Sequence, residues 1–291
     1  MRKVWWNGNI IPESEARISI YDSAFMFGDT VFEMTRSFNK IHFKLREHLE
    51  RLMKSVNMVG IPLNIGIPDL SIAIVEITEE NTPEFKSDDE YRLMIDVTNG
   101  LLPRYKEIGK LGPNVIISIF PLRWATMGLG KYFDEGLHLR IPSQRQIPAQ
   151  YLDPKIKHRS RLHFRMALNE CEWPLMLDDH GYITEGPGYN FFIVKNNDIY
   201  TPHGTNVLRG ISREYIGELQ GIIEKYIEPY DVYEADGAFI TGTPFCMLPV
   251  HSLNGIKIGN FDFFNQLLLS WSNLVGVDIK KQIQGWDYDP K

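Results

Sequence analysis

Lys157 stands in the run Asp153-Pro154-Lys155-Ile156-Lys157-His158-Arg159-Ser160-Arg161, just ahead of an apolar helical pattern through Leu162, Phe164, Met166 and Ala167. Burying an ammonium without compensation costs on the order of several kcal/mol, so a lysine is carried into a core where its chemistry is used. A desolvated lysine sheds its proton, and the neutral amine is a nucleophile that condenses with aldehydes to give Schiff bases. Taken alone, a lysine is a solvated surface charge, because lysines are almost never fully buried. Whether Lys157 is more than that depends on what else the chain holds.

A cofactor that reacts through a Schiff base and carries a phosphate needs four partners. They are an amine, an anion for its ring nitrogen, a helix start that accepts the phosphate, and a fixed cation. Gly210-Ile211-Ser212 follows the Leu208-Arg209 loop and opens a helical stretch, which places backbone N–H groups and a hydroxyl at the positive end of a helix dipole. Thr241-Gly242-Thr243 is a second hydroxyl-bearing turn. Each has a plainer reading, Ser212 as a helix cap and Thr243 as a turn residue.

The elements that must position these groups are legible from periodicity. Val4-Trp5-Trp6, the Asn7-Gly8 turn and Asn9-Ile10-Ile11-Pro12 form a hairpin, since Asn-Gly accepts the positive φ angles of a two-residue turn. Residues 30–38 alternate as a strand that places Phe32, Met34, Arg36 and Phe38 on one face, an odd position for an arginine on a plain core face. Asn39-Lys40 turns the chain into a returning strand over 41–45. Leu45, Leu49, Leu52 and Val56 make the apolar stripe of a helix with Arg51 on its flank, and a second helix covers 67–81 with Pro68 in its first turn. Strands follow over 91–98 and 115–120. The glycines around 128–130 and the loss of periodicity predict an interdomain linker over 122–135, between an N-terminal α/β domain (1–121) and a C-terminal cofactor-binding domain (136–291). In the second half the pattern predicts strands at 137–141, 174–177, 189–194 and 238–242 and helices at 161–172, 211–225 and 261–271, with a frayed tail after Gly285.

The order of these blocks, with their residues, resembles a known family. Phe27-Gly28-Asp29 with Val31-Phe32-Glu33, then Phe43-Lys44-Leu45-Arg46-Glu47-His48-Leu49-Glu50-Arg51-Leu52, then Lys157, come first. Thr184-Glu185-Gly186 with Asn190-Phe191-Phe192, then Gly210-Ile211-Ser212-Arg213, then Thr241-Gly242-Thr243 with Leu248-Pro249-Val250 complete the series. Together they resemble the class IV, fold-type IV pyridoxal-phosphate enzymes, which include branched-chain and D-amino-acid aminotransferases and aminodeoxychorismate lyase. The resemblance spans almost the whole chain. It implies a two-domain α/β (α+β) fold with pyridoxal 5'-phosphate between the domains, and a homodimer that shares pocket loops. It also implies roles: Lys157 for the Schiff base and the Cα proton, Glu185 facing the pyridine nitrogen, and Arg51, Ile211, Ser212 and Thr243 around the phosphate.

The chain departs from the family pattern in places. Lys157 and Glu185 lie closer in sequence than expected, with Lys155 a rival for the amine. Leu162 occupies a position where many relatives have tyrosine, and Met34 stands where the branched-chain pattern has glycine. The loop Asn99-Gly100-Leu101-Leu102-Pro103-Arg104-Tyr105-Lys106 resembles the loop that traps a substrate carboxylate in D-amino-acid aminotransferases, with Arg104 matching its arginine and Lys106 replacing its histidine. Arg36, beside Phe32, is the competing carboxylate anchor. The main reading is an aminotransferase moving an amino group between a D- or branched-chain amino acid and a 2-oxo acid. An aminodeoxychorismate lyase and a non-catalytic binding member are the alternatives.

Composition agrees with a small-metabolite enzyme. A formal net charge of −6, with no basic block, argues against nucleic acid as a partner. The two cysteines and eight histidines show no zinc spacing, so no metal is expected. Without an apolar signal segment or a membrane-length run, the expected location is the cytoplasm, with no membrane partner.

Overall fold

The structure is a computed structural model, described here over residues 1–287. It divides into two compact units, one comprising Met1–Trp124 with Ile156–Ser160, the other Ala125–Lys155 with Arg161–Lys291.

The first unit is built on a six-stranded sheet in the order β2-β1-β6-β5-β3-β4. Its strands are β1 (Lys3–Trp6), β2 (Asn9–Pro12), β3 (Val31–Phe38), β4 (Ile41–His42), β5 (Tyr91–Thr98) and β6 (Asn114–Pro121). Asn7 (φ 47°) and Gly8 (φ 92°) make the left-handed turn of the first hairpin, as their types dictate. Its helices are α1 (Ser23–Phe27), α2 (Leu45–Val59) and α3 (Ile67–Asn81). Alternation along the strands sorts the residues onto two faces. Val31, Leu93, Ile95, Val97, Val115, Ile117 and Ile119 pack against Leu49, Leu52 and Val56 of α2 and Leu70, Ile74 and Ile77 of α3. The opposite face carries Phe32, Met34 and Arg36 of β3, Arg92, Met94 and Asp96 of β5, and Ile116, Ser118 and Phe120 of β6, paired in register across the strands.

Residues 156–160 return to this unit as an extra edge beside the start of β3. Phe32 N–H donates to the Lys157 carbonyl (2.9 Å), Arg159 N–H to the Thr30 carbonyl (2.8 Å), and His158 bridges Val31 in antiparallel sense. Gly28 ends α1 in the left-handed region (φ 71°), and a Cβ there would lie 3.3 Å from Ser160 Oγ, so the bend before β3 and the returning segment share a tight fit.

The second unit contains α4 (Arg123–Thr126, begun in the first unit), α5 (Tyr132–Glu135), β7 (Leu137–Leu139), α6 (Leu162–Glu170), β8 (Glu185–Gly186), β9 (Tyr189–Lys195) and β10 (Asp198–Pro202). It continues with α7 (Ile211–Gln220), β11 (Ile223–Lys225), α8 (Pro229–Tyr233), β12 (Gly237–Gly242), β13 (Cys246–Leu253), β14 (Ile256–Lys257), α9 (Asp262–Val275) and α10 (Ile279–Asp287). The sheet runs β11-β10-β9-β12-β13-β14, with β7 parallel to β13 and β8 on β9. Phe191, Phe192, Phe239 and Trp271 fill its interior, the Phe192 and Phe239 rings stacked at 4.7 Å.

Several local expectations change. The stretch expected as a linker holds the two short helices α4 and α5, with Tyr132 and Phe133 buried; four-residue helices are too short to show a period in sequence. The returning strand after Asn39-Lys40 is only two residues, because Lys44 takes a left-handed conformation (φ 51°) and the helix begins at once. The apolar residues after Lys157 do not form a buried stripe: Leu162 is 72% and Met166 45% exposed, while Ala167 is buried. Residues 174–177 make isolated bridges in place of a strand. Helix α7 stops at Gln220, where Gly221 adopts φ 80°, and the remaining residues pair as β11. Ser212 lies within the first turn, with Gly210 as the N-cap. At the C-terminus α10 continues past Gly285 to Asp287 with Trp286 buried; the expected fraying beyond Asp287 lies outside the described residues.

Candidate active site

In the first unit, Lys157 is held by its backbone at both ends of the peptide. Its N–H donates to Ser55 Oγ (3.1 Å), and its carbonyl accepts from Phe32. Its Nζ lies 4.6 Å from the centroid of the Phe32 ring, a side chain only 5% exposed. The rival Lys155 is ion-paired with Asp153 at 2.8 Å.

Helical spacing puts His48 and Arg51 on one face of α2, and both meet Glu33 of β3. Arg51 Nε and Nη2 donate to Glu33 Oε1 and Oε2 at 2.6 and 2.9 Å, and His48 Nδ1 lies 2.7 Å from Oε2. Glu33 is 0% exposed. Burial alone would raise its pKa, but the charge and hydrogen bonds of Arg51, then those of His48, outweigh it and hold the carboxyl well below the usual range. Burial lowers His48 against the pull of Glu33, so the imidazole is neutral, donating from Nδ1. The bidentate pair fixes the plane of the Arg51 guanidinium.

In the second unit, Glu185 of β8, Asn190 of β9 and Thr241 of β12 are register partners across adjoining strands, and therefore share one sheet face. Gln146 Nε2 donates to Glu185 Oε1 (3.2 Å), while Asn190 Nδ2 (3.2 Å) and Leu208 N–H (3.0 Å) donate to Oε2. These donors are neutral N–H groups, a set that suits a carboxylate and not an acid. Asn190 also donates to the Leu208 carbonyl at 2.9 Å, tying the loop before α7 to the row.

Gly210 is held tightly here: a Cβ would stand 2.1 Å from Asn190 Oδ1. Helix α7 therefore starts without a side-chain cap, leaving its first N–H groups, with Ile211 and Ser212 both buried, to another acceptor. Thr243 follows β12 in the turn to β13, half-buried. Among the described residues, Thr241 Oγ1 and Gln146 Oε1 are buried without a hydrogen-bond partner.

The remaining candidates are placed less uniformly. Arg36 is 1% exposed, with its guanidinium 4.0 Å from the Phe38 ring and Nε donating to the Ser37 carbonyl. Arg104 and Lys106 are exposed in a short 3-10 turn over Pro103–Ile108, Arg104 lying against the Tyr105 ring and Lys106 4.0 Å from Glu107. Sequence reasoning attached no role to Glu33, His48, Gln146 or Asn190. Glu33, His48 and Asn190 sit inside the quoted blocks; Gln146 carries no sequence signal, since only the fold brings it to Glu185.

A model of the family described as amino-transferase class IV matches residues 30–253. The chain belongs to the class IV aminotransferases. A putative branched-chain-amino-acid aminotransferase of Methanocaldococcus jannaschii is 30% identical over 89% of this chain and 90% of its own length. D-alanine aminotransferase of Bacillus licheniformis is equally similar, at 30% identity over the same shares of each chain. Among solved structures, branched-chain aminotransferase of Escherichia coli superposes with a TM-score of 0.85 at 24% identity, covering 94% of both chains. The branched-chain aminotransferase of Thermoproteus uzoniensis with norvaline gives 0.81 at 26% identity, covering 98% of both chains. The mixed α/β architecture with two sheets is that of the fold-type IV enzymes.

Class IV aminotransferases use pyridoxal 5'-phosphate, and the residues present fit that group. The first unit holds a backbone-clamped amine and an oriented guanidinium; the second holds a carboxylate that accepts from the N–H groups of Gln146, Asn190 and Leu208, and a helix start with no side-chain cap. Thr241 Oγ1, buried without a hydrogen-bond partner among the described residues, is an unsatisfied group that a bound ligand can meet. No group of three or more His, Cys, Asp or Glu side chains that could hold a metal occurs among the described residues.

Proposed function

We propose that the chain is an aminotransferase that takes the amino group of a D- or branched-chain amino acid and passes it to a 2-oxo acid, with Lys157 as its catalytic amine. When bound, pyridoxal 5'-phosphate supplies an aldehyde that condenses with Lys157 and an electron-withdrawing ring that stabilises the charge left by a departing Cα proton. Lys157 Nζ takes that proton and returns it, its reach set by the Ser55 and Phe32 contacts to its backbone. Glu185 would stand at the ring nitrogen and favour its protonated form, because a buried carboxylate stabilises a neighbouring cation. Arg51, the N–H groups of Ile211 and Ser212, and Thr243 hold the phosphate.

Phe32 forms an apolar wall, and Arg36, or Arg104 with Lys106, holds the substrate carboxylate. For the exposed Arg104 and Lys106 to do so, a second copy of the chain must present them, and the reading includes a homodimer. Support comes from α1, where Phe25 and Phe27 are 72% and 65% exposed, and Ser23 N–H donates to the Gly100 carbonyl at the base of that loop. The free Cys171 and Cys246 suit a reducing cytoplasm.

The observation that carries this reading is the buried Glu185 carboxylate accepting from Gln146, Asn190 and Leu208, within a chain whose family is class IV aminotransferase. The test is a half-reaction screen of the purified holoenzyme against paired D- and L-amino acids, followed by the absorbance of the bound cofactor. One enantiomeric series should convert the cofactor spectrum, and a 2-oxo acid should restore it. Lys157→Ala should abolish both the covalent spectrum and turnover; a Lys157→Ala protein that retains either refutes the assignment.

A further inference from the structure

Gln146 is a polar side chain only 3% exposed, and several contacts fix it there. Its N–H donates to the Leu177 carbonyl (2.9 Å), and its neighbour Arg145 forms a parallel bridge with Leu177. On its other side Leu177 bridges Ile183, while Met176 N–H donates to the Glu185 carbonyl (3.0 Å) and Thr184 N–H to the Met176 carbonyl (2.9 Å). Segments 145–146 and 183–185 therefore flank 176–177, and the Gln146 and Glu185 side chains meet across it, Nε2 donating to Oε1 at 3.2 Å. The turn that delivers Gln146 is held independently. Ser143 N–H and Oγ donate to the Glu170 carboxylate, each at 2.7 Å, and Arg145 Nη1 donates to the Pro142 carbonyl at 2.9 Å. An ionised carboxylate has only acceptors, so the Gln146 amide meets it through its N–H edge and its own oxygen is left to find another donor. Among the described residues it finds none: Gln146 Oε1 is buried without a hydrogen-bond partner. An unmet interior acceptor costs about 1–3 kcal/mol, which a methionine or leucine of similar size would avoid. Packing alone does not account for a glutamine here; the contact to Glu185 does.

We infer that Gln146 is a positioning residue of the reaction: its N–H on Glu185 Oε1 fixes the plane of that carboxylate and stabilises its charge opposite the ring nitrogen of bound pyridoxal phosphate. The inference rests on the aminotransferase reading, with Glu185 at the ring nitrogen, and adds the group that controls Glu185. Asn190 Nδ2 and Leu208 N–H donate to Oε2, so Gln146 acts on the other oxygen. Donors on both oxygens oppose rotation of the carboxylate about its terminal bond, a torsion that is otherwise soft. A hydrogen bond to the charged form also favours that form. Without the Gln146 N–H the carboxylate holds a proton more readily, and the proton it shares with the ring nitrogen moves from the ring to Glu185. The ring then withdraws charge less well, which slows removal of the Cα proton by Lys157 and leaves substrate binding largely untouched.

The test reads two signals from the holoenzyme: the pH midpoint of the absorbance change of the bound cofactor, and the NMR shift of its isotopically labelled ring nitrogen. A positively charged ring disfavours a second proton on the nitrogen that joins it to Lys157, so the midpoint rises when the ring loses its charge. Gln146→Met keeps the volume and removes the donor. It should raise the midpoint by about one unit and move the ring-nitrogen shift towards the neutral form. It should also lower kcat about tenfold while changing KM by less than about threefold. Gln146→His, whose Nε2 lies as many bonds from Cα, should keep the midpoint at or below that of the wild type. Both signals come only from protein that has folded and taken up the cofactor, so a low yield of one variant does not blur the reading. Glu185→Gln should itself move the ring-nitrogen shift, and Gln146→Met added to it should move the shift no further, because the effect runs through the carboxylate. An unmoved midpoint and shift in Gln146→Met, a Gln146→His variant that moves as far as Gln146→Met, or additive effects in the double variant would each overturn the inference. The readings beneath it fail differently. If Glu185 is not at the ring, Glu185→Gln leaves the ring-nitrogen shift unchanged; if the chain is not an aminotransferase, no amino acid converts the cofactor spectrum.

Discussion

Replacing Glu33 by Gln removes the charge that holds Arg51 and His48 together while keeping the shape of the side chain. Glu33 is 0% exposed, His48 1%, and the Arg51 side chain 11%, so this cluster is shielded from the solvent that makes surface ion pairs weak. Removing one partner of a buried pair leaves the other charge uncompensated, at a cost of about 3–5 kcal/mol. Gln keeps one acceptor oxygen for Arg51, which puts the expected loss near the lower end, a fall in Tm on the order of 10 °C. The carboxyl's folded pKa lies below its ordinary value of 4.5, so its contribution is present above that pH and is lost as the pH falls below it. Glu33→Gln should therefore flatten the acid limb of the stability curve as well as lower its plateau. The assay is thermal unfolding of wild type, Glu33→Gln, Arg51→Leu and the double variant across pH, with the Kd for pyridoxal phosphate measured by absorbance. The cycle should show coupling of at least about 1.5 kcal/mol, and the single Glu33→Gln variant should bind the cofactor more weakly because Arg51 is no longer oriented. A Glu33→Gln protein with unchanged Tm, or additive effects of the two substitutions, refutes the claim that this pair orients the guanidinium.

His42, whose pKa burial pushes down to about 4, stays neutral in the folded state while the unfolded chain protonates near 6.5. Stability should thus fall as the pH drops from 6.5 towards 4, by about 3 kcal/mol from this residue; urea denaturation of His42→Asn should show a shallower decline, and parallel curves would refute it. Gly210→Ala puts a Cβ 2.1 Å from Asn190 Oδ1, so the amide must move away from Glu185, with an expected loss of about 1–3 kcal/mol and weaker cofactor retention on gel filtration; full retention would mean that the helix start does not need this close approach.

What the chain announces by itself is local and periodic. The hairpin at Asn7-Gly8, the stripe of α2, the exact bounds of α3 and β5, and the alternation that sets Phe32 and Arg36 on one face all follow from residue type and spacing, because each depends on neighbours a few positions away. The blocks that carry Lys157, Glu185, Arg51 and the Gly210-Ile211-Ser212 start keep the order of the class IV aminotransferases, and the family was legible from that order. Tertiary structure decided the rest. It returned residues 156–160 to the first unit through the edge of β3, brought Gln146 to Glu185 and Arg159 to Asp96, and set Arg36 across from Arg92. Hydrogen bonds and charge pairs between residues 39 to 63 positions apart leave no periodic trace, since their geometry exists only once strands have paired and a face has formed.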